Sequence, residues 1–172
     1  MNEKKHVKFG GRLVIVGFGS VGQGSLPLLL RHIDMPAERV AILTGDTRGI
    51  EEAKHFGIKF NVKPLTRENY KAVLDPLLAK GDFLLNLSVD VSSVALIEFC
   101  YEKGAMYLDT CIEPWLGGYT DPTVSASHRS NYGLREDVLS LRVLIVDDND
   151  FVVDFVEALL EGMGLTNISR AS

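Results

Sequence analysis

Cysteine is scarce: Cys100 and Cys111 are the only two in 172 residues. That is too few for a disulfide framework or a zinc cluster, and a reduced cytosolic setting suits the pair best. Positive charge is also short, with 18 Lys and Arg against 23 Asp and Glu for a net charge of −5. Binding to nucleic acid or to an anionic membrane needs a concentrated basic surface, so neither partner is expected. No apolar run approaches the roughly 20 residues required to span a bilayer. The opening residues Met1 to His6 are polar, so no signal peptide is expected and the chain reads as cytoplasmic. There is no internal repeat and no low-complexity segment. What remains is an ordinary soluble composition, 46% hydrophobic and 24% charged, sized for one domain or slightly more.

Apolar runs alternate with helical patterns along the chain. Strands are expected at 12–16, 38–44, 58–62, 82–87 and 105–109. Helices are expected at 23–32, 50–56, 66–80, 92–103 and 131–141, with Pro27 kinking the first or shifting its start. Thr66 to Asn69 has the form of a capping box opening the third of these. This alternation predicts an α/β Rossmann-type fold, a doubly wound parallel sheet with helices on both faces.

The first strand runs into Gly17-Phe18-Gly19-Ser20-Val21-Gly22. In this pattern the first glycine permits a tight turn. The second lets the backbone approach a pyrophosphate, and the third lets helix and strand pack closely. The helix N-terminus supplies N–H groups and a positive dipole end for the phosphates. The second strand ends at Thr44, and Asp46 lies 24 residues after Gly22, where an acid accepts from a ribose hydroxyl. That placement favours NAD over NADP, with Arg48 nearby pulling the other way.

Three more features fall at the C-terminal ends of later strands, where open parallel sheets bind ligands. They are Asn86 to Asp90, Leu108-Asp109-Thr110, and the loop Cys111 to Tyr119 with Glu113 and Trp115. Carboxylates beside Trp and Tyr suit a cationic amine, by charge pairing and cation–π contact. The structural alternatives are that Asp90 caps the next helix with Ser92, that Asp109 forms a turn, and that Trp115 packs in the core. Glu113 has no such plain structural explanation. Cys111 has no histidine near it in sequence to make it a nucleophile.

Taken in order, residues 17–24, Ser88-Val89-Asp90, Leu108 to Trp115 and Ser130 to Glu136 resemble bacterial homospermidine synthase, of the saccharopine dehydrogenase-like group. The resemblance covers about residues 8–141. It implies tightly bound NAD that oxidises putrescine to an imine, then reduces the imine formed with a second amine, releasing ammonia. On the same resemblance Asp90, Glu113 and Trp115 bind the diamine, Glu113 with a catalytic part. Gly17, Gly19, Ser20, Val21, Gly22, Thr44, Asp46, Asp109 and Thr110 hold the cofactor. Members of the family are several times longer and carry most catalytic residues downstream, so NAD binding by residues 1–141 is expected without turnover. Self-association as a homo-oligomer stays open.

The pattern changes near residue 141. Residues 142–172 carry 2 basic and 6 acidic side chains, net −4, which leaves −1 for the first 141. Val143 to Asp150, followed by an amphipathic pattern with Phe151, Phe155 and Leu159 on one side, resembles the opening strand and helix of a response-regulator receiver domain. That resemblance implies a signalling fragment as the alternative function. The phosphate-accepting aspartate would lie beyond residue 172, and Asp147 and Asp148 read as a solvated acidic turn rather than a metal site. An all-apolar strand wants burial on both faces. Residues 142–146 are therefore expected beside the fifth strand of the sheet, with 151–161 covering it.

Overall fold

In the computed structural model, the described residues are 5–131, 133–134 and 137–138, together with the backbone of 143–145 and 168–170. The elements in order are β1 (Val7–Lys8), β2 (Leu13–Val16), α1 (Ser20–His32), β3 (Ile33–Asp34), β4 (Val40–Thr44), α2 (Ile50–His55) and β5 (Lys59–Val62). They continue with α3 (Tyr70–Leu74), β6 (Phe83–Asn86), α4 (Ser93–Lys103), β7 (Met106–Asp109), β8 (Val143–Ile145) and β9 (Ile168–Arg170). The main sheet is parallel with strand order β5-β4-β2-β6-β7. The chain winds outward from β2 in one direction, then returns to β2 and winds the other way. The reversal falls between β2 and β6, where doubly wound sheets open a crevice beyond the strands' C-terminal ends.

Period-2 alternation explains why β2 is apolar throughout. Val14 and Val16 join Leu84, Leu96 and Phe99 on one face of the sheet, whereas Leu13 and Ile15 join Leu26, Ile42 and Leu85 on the other. Both sets are buried, as expected of a central parallel strand. At the opposite end from the crevice, Asp82 ties β2 to β6. Its Oδ1 accepts from the Arg12 backbone N–H at 2.8 Å, and its Oδ2 accepts from Arg12 Nε and the Ala79 N–H, both at 2.8 Å. Burial alone would raise the Asp82 carboxyl, but these donors and the guanidinium outweigh it and hold the group below its ordinary range.

The structure departs from the sequence expectations at three places. The helix expected over 66–80 is only α3. Asn69 Oδ1 accepts from the Thr66 N–H at 2.9 Å in a turn ahead of the helix, and Pro76 has no N–H to continue it. The first helix begins at Ser20, immediately after the glycine turn, and continues through Pro27. Of the strand expected over 142–146, the described residues 143–145 do not extend the main sheet beside β7. Instead β8 pairs in parallel with β9, Val143 opposite Ile168, as a separate two-stranded sheet. Residues 146–167 between them give the crossover length that a parallel pair needs. The segment 151–161 lies outside the described residues, as does most of the helix expected over 131–141, of which Asp137 and Val138 are helical. Among the described residues, no helix is long and apolar enough to cross a membrane.

Replacing Asp82 with Ala leaves two backbone N–H groups and a guanidinium without their acceptor. Urea denaturation at pH 7 should show a loss of about 2–3 kcal/mol. Because the folded carboxyl is depressed, its contribution is present above the unfolded value and is lost as pH falls through the folded one. The gap between wild type and variant should therefore close below about pH 4.

Candidate functional site

The crevice at the reversal point encloses about 250 Å³, and its lining includes Gly17, Thr44, Lys63, Ser88, Asp90 and Leu116. Its floor is the turn that leaves β2. Gly17 has φ +84°, and a Cβ there would lie 2.6 Å from Ser88 N and 2.8 Å from the Leu87 carbonyl carbon. Only glycine fits, in conformation and in space. Gly22 is buried in the first turn of α1, where a Cβ would meet the Phe18 ring at 2.9 Å. Gly19 is different, since a Cβ built on it meets nothing within 4 Å. The space above the second glycine is open, as the approach of a diphosphate requires. Gly19 is also the N-cap of α1, which has no side-chain cap and no acidic residue in its first turn. Ser20 and Val21 are exposed there, so the positive end of the helix dipole, with no acidic residue in its own first turn, is open to solvent two residues after the crevice-lining Gly17.

Thr44 lies half-buried at the end of β4, its carbonyl accepting from the Lys63 N–H at 2.8 Å. Asp46 follows two residues on. Its carboxylate accepts from the Arg48 N–H at 2.8 Å and from the guanidinium at 2.7 and 2.9 Å. The Arg48 side chain thereby holds the Asp46 carboxyl below its ordinary value.

The acidic groups gather on the other side of the crevice. Asp90 has φ +63°, the left-handed region, rare for a residue with a side chain, and its carbonyl accepts from the Leu116 N–H at 3.0 Å. The cap of α4 is Ser92, whose Oγ accepts from the Ala95 N–H at 3.3 Å. Glu113 is buried and fastened to the start of α4. Its N–H donates to Ser93 Oγ at 2.9 Å, and its carbonyl accepts from the Ser93 N–H at 2.9 Å. Burial and then the Glu113 charge push the Tyr119 hydroxyl up to about 12, with Asp90 acting in the same direction. Burial, Glu113 and Asp109 likewise raise the Cys111 thiol, so at neutral pH it is protonated and a poor nucleophile. Asp90, Asp109 and Glu113 thus share one neighbourhood.

Asp109, half-buried at the end of β7, accepts at 2.8 Å from the Tyr107 hydroxyl. Burial, followed by the Asp109 charge, raises that hydroxyl well above its ordinary value, so it stays a donor. Asn86 Nδ2 donates to Tyr107 Oη at 3.2 Å, and Asn86 Oδ1 accepts from Ser88 Oγ at 2.6 Å. Thr110 is exposed beyond β7. The Trp115 ring is 5.3 Å from that of Tyr70 and packs against the core under α4. Tyr107 and Ser93 escape a sequence reading, and so does the bonding of Asn86, which is read there only as the start of a strand-end segment. Their polarity on strand and helix interiors is the one local sign, and their partners are 2 to 21 residues away. Among the described residues, no group of three His, Cys, Asp or Glu side chains could hold a metal ion.

The sequence model of the saccharopine dehydrogenase NADP-binding domain matches residues 13–153. The chain belongs to that family. Homospermidine synthase from Blastochloris viridis is 43% identical over 140 residues, covering 78% of this chain and 29% of that protein. The enzyme of the same name from Mesorhizobium japonicum is 42% identical over 129 residues, covering 73% of this chain and 27% of the relative. The crystal structure of Legionella pneumophila homospermidine synthase in complex with NAD superposes with a TM-score of 0.72 at 31% identity. That match covers 94% of this chain and 36% of the other. This member of the saccharopine dehydrogenase-like family is therefore the Rossmann-type dinucleotide-binding portion of a homospermidine synthase-like protein. It spans about a third or less of the length of these relatives.

The two glycines at either end of Phe18 should respond differently to one methyl group. Gly17→Ala, strained and in collision with the backbone at Leu87 and Ser88, should lose about 2–4 kcal/mol in urea denaturation. Gly19→Ala should stay within about 1 kcal/mol of wild type.

Proposed function

We propose that the chain binds NAD across the crevice between β2 and β6 and presents a group of carboxylates to a cationic diamine beside it. The observation that carries this reading is the glycine turn. Its first and third glycines are filled by neighbouring atoms, while the second opens onto free space at an uncapped helix N-terminus. The residues fit a dinucleotide. The N–H groups at Ser20 and Val21 would take the diphosphate, and Thr44 and Asp46 lie at the adenosine-ribose end. Ser88 to Asp90, with Asp109, lie at the other end. Bound there, the nicotinamide would supply hydride acceptance and return.

The chain's own contribution is placement and charge. Asp90, Asp109 and Glu113 offer negative charge to the ammonium ends of a putrescine-like diamine. The Tyr119 ring stands beside them, and Glu113 is fixed by its two backbone bonds to Ser93. Synthesis of homospermidine belongs to the whole relatives. For this chain the proposed role is the cofactor half of such a site, acting in the cytoplasm. We place the domain boundary near residue 141, because β8 pairs with β9 and not with β7, although the family match runs on to residue 153.

Fluorescence titration with NADH tests the reading. Wild type should bind saturably, and Gly19→Val should abolish binding while its thermal unfolding stays close to wild type, since a Cβ at this position has no neighbour within 4 Å. Equal NADH affinity in the two proteins would contradict the proposal. In the NAD-loaded chain, putrescine should give a binding heat that Glu113→Gln removes, and an unchanged heat in that variant would take Glu113 out of the diamine site.

A further inference from the structure

Asn131, in the Ser130–Glu136 motif, is outside the crevice lining, yet its side chain reaches the acidic side of the site. Its Nδ2 donates to Cys111 Sγ at 2.9 Å, and its Oδ1 accepts from the Tyr119 hydroxyl at 3.0 Å. These partners lie 20 and 12 residues back, at the two ends of the loop that follows β7, with Glu113 between them. One amide therefore closes that loop. The turn presenting Asn131 is fixed in its own right. Ser130 Oγ donates to the Ser127 carbonyl at 2.8 Å, and the Ser130 carbonyl accepts from the Gly133 N–H at 2.9 Å. A Cβ at Gly133 would lie 2.6 Å from the Ser127 carbonyl oxygen. The turn thus packs directly on the one-turn helix Ala126–Arg129, as only glycine permits.

A tyrosine hydroxyl has one proton to give, and its direction matters here. The buried Glu113 carboxylate is the charged acceptor nearby. After burial, its charge is the next cause of the upward shift of both the Tyr119 hydroxyl and the Cys111 thiol. A proton donated to Glu113 would occupy an acceptor position and offset charge that an ammonium group needs. Led instead to Asn131 Oδ1, the proton leaves the carboxylate unshared and the phenol oxygen's lone pairs available. The other acceptor of this hydroxyl, the Ile112 carbonyl at 3.5 Å, is at the limit of a hydrogen bond. An ammonium has three donors and no acceptor. A carboxylate and a phenol oxygen with its proton drawn away suit that pattern.

We propose that Asn131 is a positioning residue of the diamine site. By taking the Tyr119 proton and tying that residue to Cys111, it keeps Glu113 and the Tyr119 oxygen together as acceptors for an ammonium group. The inference rests on the reading of the acidic cluster as a diamine site.

Calorimetric titration of the NAD-loaded full chain with putrescine tests it, with NADH affinity measured alongside. Asn131→Ala and Tyr119→Phe should each weaken putrescine binding roughly 10-fold, while NADH affinity stays that of wild type. The double variant N131A/Y119F should be no weaker than either single one, because both act through one hydrogen bond. Independent contributions would multiply to roughly 100-fold. Asn131→Asp, which keeps an acceptor for the hydroxyl, should recover most of the affinity, but only where Tyr119 is present. Unchanged putrescine affinity in Asn131→Ala would overturn the proposal, and so would multiplying losses in the double variant. A parallel fall in NADH affinity would also overturn it, by making Asn131 a general brace of the fold. Failure of Asn131→Asp to recover binding, or recovery that persists with Tyr119→Phe and so reports added charge alone, counts against it equally. Absence of any putrescine heat in the NAD-loaded wild type is the separate failure of the diamine reading, and this proposal falls with it.

Discussion

At Gly17 the chain turns out of β2 with less than a methyl group of clearance from the backbone at Leu87 and Ser88. This close approach of the first turn to the end of β6 is the constraint on which the site depends. It brings the N-terminus of α1 beside the Ser88–Asp90 loop, on either side of the point where the strand order reverses. A side chain at Gly17 would push these two loops apart and close or distort the opening. The parallel sheet makes the approach possible, because Val16 and Asn86 are register partners and both strands end at the same level.

Rigidity on the β6–β7 side comes from polar groups held in the core. Asn86, Tyr107, Asp109 and Ser88 form a chain of hydrogen bonds at the strand ends, and Ser93 locks Glu113 to α4. Such groups are expensive to bury unless all are paired. Here each has a partner, and the result is a fixed set of acceptors at the mouth of the site. On the other side of the sheet, the exposed Met106 and Leu108 of β7 leave an apolar strand face with no counterpart among the described elements.

Much of this was legible in the sequence because burial writes itself as periodicity. The run Leu13 to Val16 reads as a central strand, and the glycine spacing after it places the turn and the helix. Ser92 stands ahead of α4 as a cap. The polar links were not legible. Arg12 and Asp82 are 70 residues apart, and Asn86 and Tyr107 are 21 apart, so no local pattern joins them. Arg48 was visible as a charge near Asp46, but its engagement with that carboxylate depends on the loop's geometry. The strand at 143–145 shows the limit of composition. Its apolar character calls for burial without naming the neighbour, and the partner proved to be β9 rather than β7.

The central claim is that the backbone amides at the head of α1 receive a dinucleotide diphosphate. Amide-resolved NMR during titration with NAD tests it most directly. The account predicts the largest, saturable shifts at Gly19, Ser20, Val21 and Gly22, with a second group at Ser88 to Val91. Saturation of the protein with NAD while the Gly19–Gly22 amides stay where they are would contradict it.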